Sequence, residues 1–272
     1  MTTSQQWIYD FILTDVLASK SIPKDLLVKA LGEFTIFCFL IKRTEPLPEA
    51  FITILKKIEA LDILFDYHCL FLKSCIGDNS FVVTDKSHEG LEIYYIKNVF
   101  YNTQHNWNDM LVRFLNQISR QGITLPNTYY LTHILFYSTD FGYKNYWDRQ
   151  PTVKAVATDV LQLCEAKFRA EENWDILREV YMCQIYLTPE SVTKIAENIK
   201  SEDMLIKSKH GWYLSDGLNL SCFEKYYNKL TANMKYSLYH TTVISLLLES
   251  QLKHYSNLYG YKRKYNKAVT TL

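Results

Sequence analysis

Two helix-length stretches of this chain carry no formal charge, and each holds one histidine near its centre. The first covers residues 125–139, includes His133, and runs into Asp140-Phe141-Gly142. The second extends from Tyr236 to Leu248 around His240 and is bracketed by Lys235 and Glu249. A helix at a protein surface presents charge along one side, whereas a helix apolar all round is enclosed by other parts of the chain. Both stretches therefore predict interior helices, each bringing an ionisable group inside. No other feature constrains the fold as much, because each helix needs neighbours on all sides.

The remaining sequence supplies those neighbours. Between proline and glycine breaks the apolar residues recur about every 3.6 positions. This predicts helices over 4–19, 23–42, 48–74 with a break near Asp62, 89–103, 107–121 and 126–140. Further helices are predicted over 151–170, 173–187, 189–201, 220–230 and 235–255. Pro23, Pro48, Pro126 and Pro189 stand where a first helical turn begins, and there the missing N–H has no helical partner to lose. Thr188 is placed as an N-cap, with Glu190 against the positive helix end. Phe81-Val82-Val83-Thr84 is a strand-like run without a similar partner after it.

Charge sorts these helices into two kinds. Those at 151–170 and 189–201 carry mixed charge and read as outer helices. The two histidine helices, the segment 34–41 and the segment 180–187 read as inner ones. The expected fold is therefore all-α: an α/α helical-hairpin solenoid or toroid with uncharged inner and charged outer helices. No repeat consensus and no low-complexity linker divides it, so a single domain over 1–272 is expected.

Composition narrows the function classes. Thirty basic side chains face 29 acidic ones, which argues against a dominant footprint for nucleic acid or anionic membrane. The basic stretch Tyr261-Lys262-Arg263-Lys264-Tyr265 reads as a solvated end. The longest apolar run, Ile36–Ile41, is far short of the roughly 18 residues of a membrane span. The first residues lack the basic start and apolar core of a secretory signal, so a cytoplasmic location is expected. The six cysteines show no Cys-x-x-Cys pair, and most sit at helical spacing among apolar residues, as free buried thiols do.

Candidate chemistry centres on the histidines. His133, Tyr137 and Asp140 stand at i, i+4 and i+7, one stripe of a helix that turns roughly 100° per residue. Histidine titrates near neutrality and suits general acid–base work, while Asp140 is placed to orient the imidazole, bind a cation or ligate a metal. Equally, Asp140 can satisfy backbone groups at the helix end, and His133 can bond a neighbouring carbonyl. His240 is followed by Thr241 and Thr242, whose hydroxyls ordinarily bond back to earlier carbonyls in a helix. The expected site has His133 and His240 facing a common cavity with Asp140 at its rim. Tyr137 and Thr241 are its expected binding residues. The aromatic loops with Tyr143, Trp147 and Trp212 are its expected entrance walls.

No phosphate loop, dinucleotide fingerprint, His-Glu-x-x-His or nucleophile elbow is present. No cofactor and no structural metal are therefore expected. The segments Thr132–Gly142 and Tyr239–Val243 resemble two landmarks of a family of uncharacterised helical bacterial proteins that often accompany gene clusters for modified peptides and other natural products. The resemblance implies only a biosynthetic context, and it points to His133, Asp140 and His240; a peptide or small-molecule ligand and biosynthetic partner proteins are the partners expected in that context. Two functions follow as expectations. One is a protein that binds or transforms a peptide or small metabolite by acid–base chemistry. The other is a non-catalytic scaffold that binds a peptide in a concave groove.

Overall fold

The computed structural model describes residues 1–19, 22–64, 66–77, 91–101, 105–217 and 219–269; side chains are described for all of these except 66, 67, 92, 93, 101 and 258–269. The protein is all-α. In chain order the helices are α1 (Thr3–Asp10), α2 (Lys24–Lys42), α3 (Glu49–Leu61), α4 (Asp66–Ile76), α5 (Leu91–Tyr101) and α6 (Trp107–Gln121). They continue with α7 (Leu125–Ser138), α8 (Pro151–Ala170), α9 (Trp174–Leu187), α10 (Val192–Ile206), α11 (Leu220–Tyr226) and α12 (Ala232–Val269). Among the described residues the β structure is a single antiparallel bridge between Lys207 and Tyr213. The run 81–84 lies outside the described residues, and the basic stretch 261–265 lies within α12. No helix among the described residues is long and apolar enough to cross a membrane.

Two local departures from the sequence reading have physical causes, and one break falls where it was expected. The first predicted helix continues from α1 as a π-helix, Phe11–Leu17. Its i→i+5 register places Phe11 and Val16 on one buried face, which a 3.6-residue turn would separate. Asp62 ends α3 in the left-handed conformation, φ +49°, and divides the long third segment where the break was expected. Thr188 occupies the cap position, but its hydroxyl makes no capping bond; a 3₁₀ turn over Pro189–Ser191 comes first, with the Ser191 N–H donating to the Thr188 carbonyl at 2.9 Å.

The chain forms two compact units, each assembled from two separated stretches. Unit 1 comprises Met1–His88 and Asp203–Leu247, and unit 2 comprises Glu89–Glu202 and Leu248–Leu272. In unit 1, aromatic side chains dominate the core. Trp7 stacks on Phe11 at 5.5 Å and Phe11 on Tyr239 at 4.9 Å, while Trp212 stacks on Tyr227 at 6.1 Å. Gly211, at φ +99°, lets the 207–214 hairpin lie on the first helical turn; a Cβ there would come within 2.6 Å of the Thr3 carbonyl oxygen.

In unit 2, α6 pairs with α7 and α8 with α9, while α7 meets α9 and α6 meets α8. Helices α6 and α8 each bury one stripe: Trp107, Leu111, Leu115 and Ile118 on α6, and Ala157, Leu161, Cys164 and Phe168 on α8. Helix α9 is buried along its whole length. That enclosure extends beyond the apolar segment 180–187 and takes in Asp175, Arg178 and Glu179, so this inner helix is charged. All six cysteines are free, and Cys222 on α11 is exposed rather than buried. Burial pushes the Cys38 and Cys183 thiols well above their ordinary range and Cys75 to about 12, which keeps them protonated.

Helix α7 ends in a turn with three consecutive residues at positive φ: Asp140, Phe141 and Gly142. Gly142 has φ +86°, and a Cβ there would stand 2.5 Å from the Tyr186 ring. Its carbonyl accepts a 2.7 Å bond from the Tyr255 hydroxyl. Gly142→Ala is expected to destabilise the protein by about 2 kcal/mol, combining the left-handed penalty with an overpacked contact. Urea denaturation checks this, and unchanged stability would contradict the turn geometry.

Candidate acid–base site

The polar residues of unit 2 converge where α7 meets α9. Thr124 caps α7 and Asn173 caps α9, each side chain accepting a backbone N–H three residues on. On α7 the accessible side chains beyond Thr128 are Tyr129, Tyr130 and His133. On α9, Asp175 and Glu179 are one turn apart and lie on one face. Tyr129 donates to Asp175 Oδ2 at 2.5 Å, and Thr132 donates to Glu179 Oε2 at 2.6 Å.

His133 Nδ1 lies 2.7 Å from the Tyr129 carbonyl oxygen. A carbonyl only accepts, so Nδ1 donates, and in the neutral ring the lone pair then lies on Nε2. The Glu179 carboxylate stands 3.8 Å from Nδ1; its side chain is 1% exposed, against 33% for His133. The rings of Tyr129, Phe136 and Tyr137 surround the imidazole with centroids 5.8–6.2 Å away.

From His133 the aromatic contacts lead to Asp140. Tyr137 stacks on Tyr95 at 5.0 Å, and the Tyr95 hydroxyl donates to Asp140 Oδ1 at 3.0 Å. Lys144 Nζ is 4.0 Å from the other carboxylate oxygen. The His133–Tyr137–Asp140 stripe is thus joined through Tyr95. Tyr143 contacts the His254 ring, and Trp147 is buried with its indole N–H donating to Ser138 Oγ at 2.9 Å.

A second polar cluster braces α9 from its other flank. Arg178 Nη1 lies 3.2 Å from Glu202 Oε2, and Tyr181 donates to Glu202 Oε1 at 2.6 Å. Arg169 joins Glu202 to Glu165, at 3.4 Å and 2.9 Å respectively. Gln184 donates to Glu165 at 2.8 Å. Burial and the Glu202 contact push the Tyr181 hydroxyl well up, so it remains a donor.

In unit 1, His240 is paired with a glutamate from another helix. Its Nδ1 lies 3.2 Å from Glu33 Oε2 on α2, and Tyr236 donates to the other oxygen of Glu33. Lys29 sits over the Tyr236 ring. Burial alone would raise Glu33, but His240, Tyr236 and Lys29 together hold it below the ordinary carboxylate range. Thr241 is buried and bonds back to the Ser237 carbonyl, and Trp212 is enclosed by aromatic neighbours. His133 therefore belongs to unit 2 and His240 to unit 1, each beside its own glutamate.

Sequence reasoning passed over Glu33, Tyr95, Asp175, Arg178 and Glu179. Four of them had a readable signal. Glu33 is the lone charge between Ala30 and Ile41, and Asp175, Arg178 and Glu179 recur at i, i+3 and i+4 between apolar residues. Among the described residues, no three His, Cys, Asp or Glu side chains are placed to hold a metal ion.

Fold and site together define an all-α protein in which each of two partly exposed histidines stands beside a glutamate from another helix. Residues 93–197 match the model of a domain of unknown function (DUF6895). That span holds α6 to α9 entire, with His133, Asp140 and Glu179, and falls within the first stretch of unit 2. No curated protein and no solved structure matches the chain.

Proposed function

We propose that this protein binds a peptide or small metabolite at His133 and transforms it by acid–base chemistry, as a cytoplasmic component of specialised metabolism in bacteria. One observation carries the reading: the 2.7 Å contact of Nδ1 with the Tyr129 carbonyl fixes the tautomer of a ring one-third exposed, and Nε2 has no hydrogen-bond partner among the described residues. An imidazole so held accepts a proton at Nε2 from a bound hydroxyl, amide or water and returns it to a leaving group. Tyr129 flanks the substrate, while the buried Tyr137 packs against the imidazole in the row that ends at Asp140. Hydrolysis, cyclisation and isomerisation all fit such a centre.

A second reading has its own support. Tyr130 is 55% exposed and stacked on Phe114, an arrangement suited to holding a peptide without chemistry. Metabolite profiling separates the two. A product missing from a deletion strain is expected to stay missing when His133→Ala is supplied in its place, provided the variant keeps its far-ultraviolet spectrum. Full recovery of that product with His133→Ala would overturn the catalytic reading and leave the scaffold.

A further inference from the structure

We infer that Glu179 is the positioning residue of His133: it does not touch the substrate, but stabilises the imidazolium that forms when Nε2 takes a proton. The inference rests on the reading of His133 as the working base. Thr132 and His133 are consecutive on α7, and both reach the same oxygen of Glu179, at 2.6 Å and 3.8 Å. The Thr132 hydroxyl has one proton. Its distances are 2.6 Å to the carboxylate and 3.0 Å to the Tyr129 carbonyl, so the shorter, charge-assisted bond takes it. Thr132 thereby fixes the carboxylate beneath the ring, while the Tyr129 carbonyl fixes the ring itself.

Exposure assigns the two roles. Glu179 is 1% exposed and His133 33%, so a substrate reaches the imidazole and not the carboxylate behind it. An opposite charge within about 4–6 Å favours the charged form of a titrating group. The effect is stronger where protein replaces water around the pair.

The test reads the imidazole directly in the full-length protein. Diethyl pyrocarbonate modifies the unprotonated ring, so the rate at His133, followed by peptide mapping across a pH series, traces its titration. Glu179→Gln keeps an oxygen to accept from Thr132 but removes the charge. It is expected to move the midpoint of that profile toward acid by about one pH unit. Glu179→Asp keeps the charge at a greater distance, and a smaller shift of the same sign is expected. This second variant decides the matter if Glu179→Gln does not fold.

Superimposable profiles in the parent and the folded variants would overturn the inference, since a merely structural Glu179 would leave the titration unmoved. The two readings fail separately. A shifted profile with product retained in His133→Ala keeps the role of Glu179 and removes the catalysis. An unshifted profile with product lost does the reverse.

Discussion

Arg178→Met is expected to lower the unfolding free energy by about 3 kcal/mol, because it leaves the buried Glu202 with too little compensating charge. Arg178 is 1% exposed, and its guanidinium lies 3.2 Å from a glutamate that is itself buried. Removing one partner of a buried ion pair generally costs about 3–5 kcal/mol. The lower figure applies here because Arg169 and Tyr181 still contact the other oxygen of Glu202. Adding Glu202→Leu to Arg178→Met is expected to recover part of the loss, since an apolar pair of similar volume needs no compensation. Urea denaturation of the parent, both single variants and the double variant measures the coupling. Additive losses would show that the two side chains do not depend on one another.

Lowering the pH from 7 to 4 is expected to remove about 3 kcal/mol through His68 alone. Burial holds His68 down from 6.5 to about 4, against a smaller opposing pull from Glu33. Above pH 6.5 the imidazole is neutral in folded and unfolded chains, and the stability is fully present. As the pH falls, the unfolded chain takes up the proton first, so stability is lost until the folded value is reached. Glu33 acts in the same direction at lower pH. Its contribution is present above its ordinary value of 4.5 and lost as the pH falls through its depressed folded value.

The cause of the His68 shift lies in its packing. The ring covers Gly32 on α2 so closely that a Cβ at that position would overlap it. Replacing His68 by phenylalanine keeps a ring there and removes the titration. The stability of His68→Phe should therefore change less between pH 7 and 4 than that of the parent. Equal pH slopes in urea denaturation series would refute the assignment.

These two cases also mark how far the sequence could be read. Enclosure was legible for most of α7 after Tyr130 and of the 236–248 part of α12, where absence of charge reports on burial, but Leu125 and Tyr130 at the start of α7 stay exposed. The same rule could not reveal the buried face of α9, where Asp175, Arg178 and Glu179 go inside with partners from other helices. Pairing of that kind is a tertiary property. For the same reason His133 was legible as a candidate while Glu179, 46 positions later, was not. The division into two units left no linker to find, since two of the places where the chain crosses between them lie inside α10 and α12.

The tryptophans give this architecture a built-in optical label. Trp7 and Trp212 belong to unit 1, whereas Trp107, Trp147 and Trp174 belong to unit 2, and all five are buried. Trp7 and Trp212 both adjoin Tyr227, while Trp147 hydrogen-bonds Ser138 at the end of the His133 helix. Emission from single-tryptophan variants therefore follows each half of the molecule separately, without an added dye, and Trp147 reports on the turn that carries Asp140.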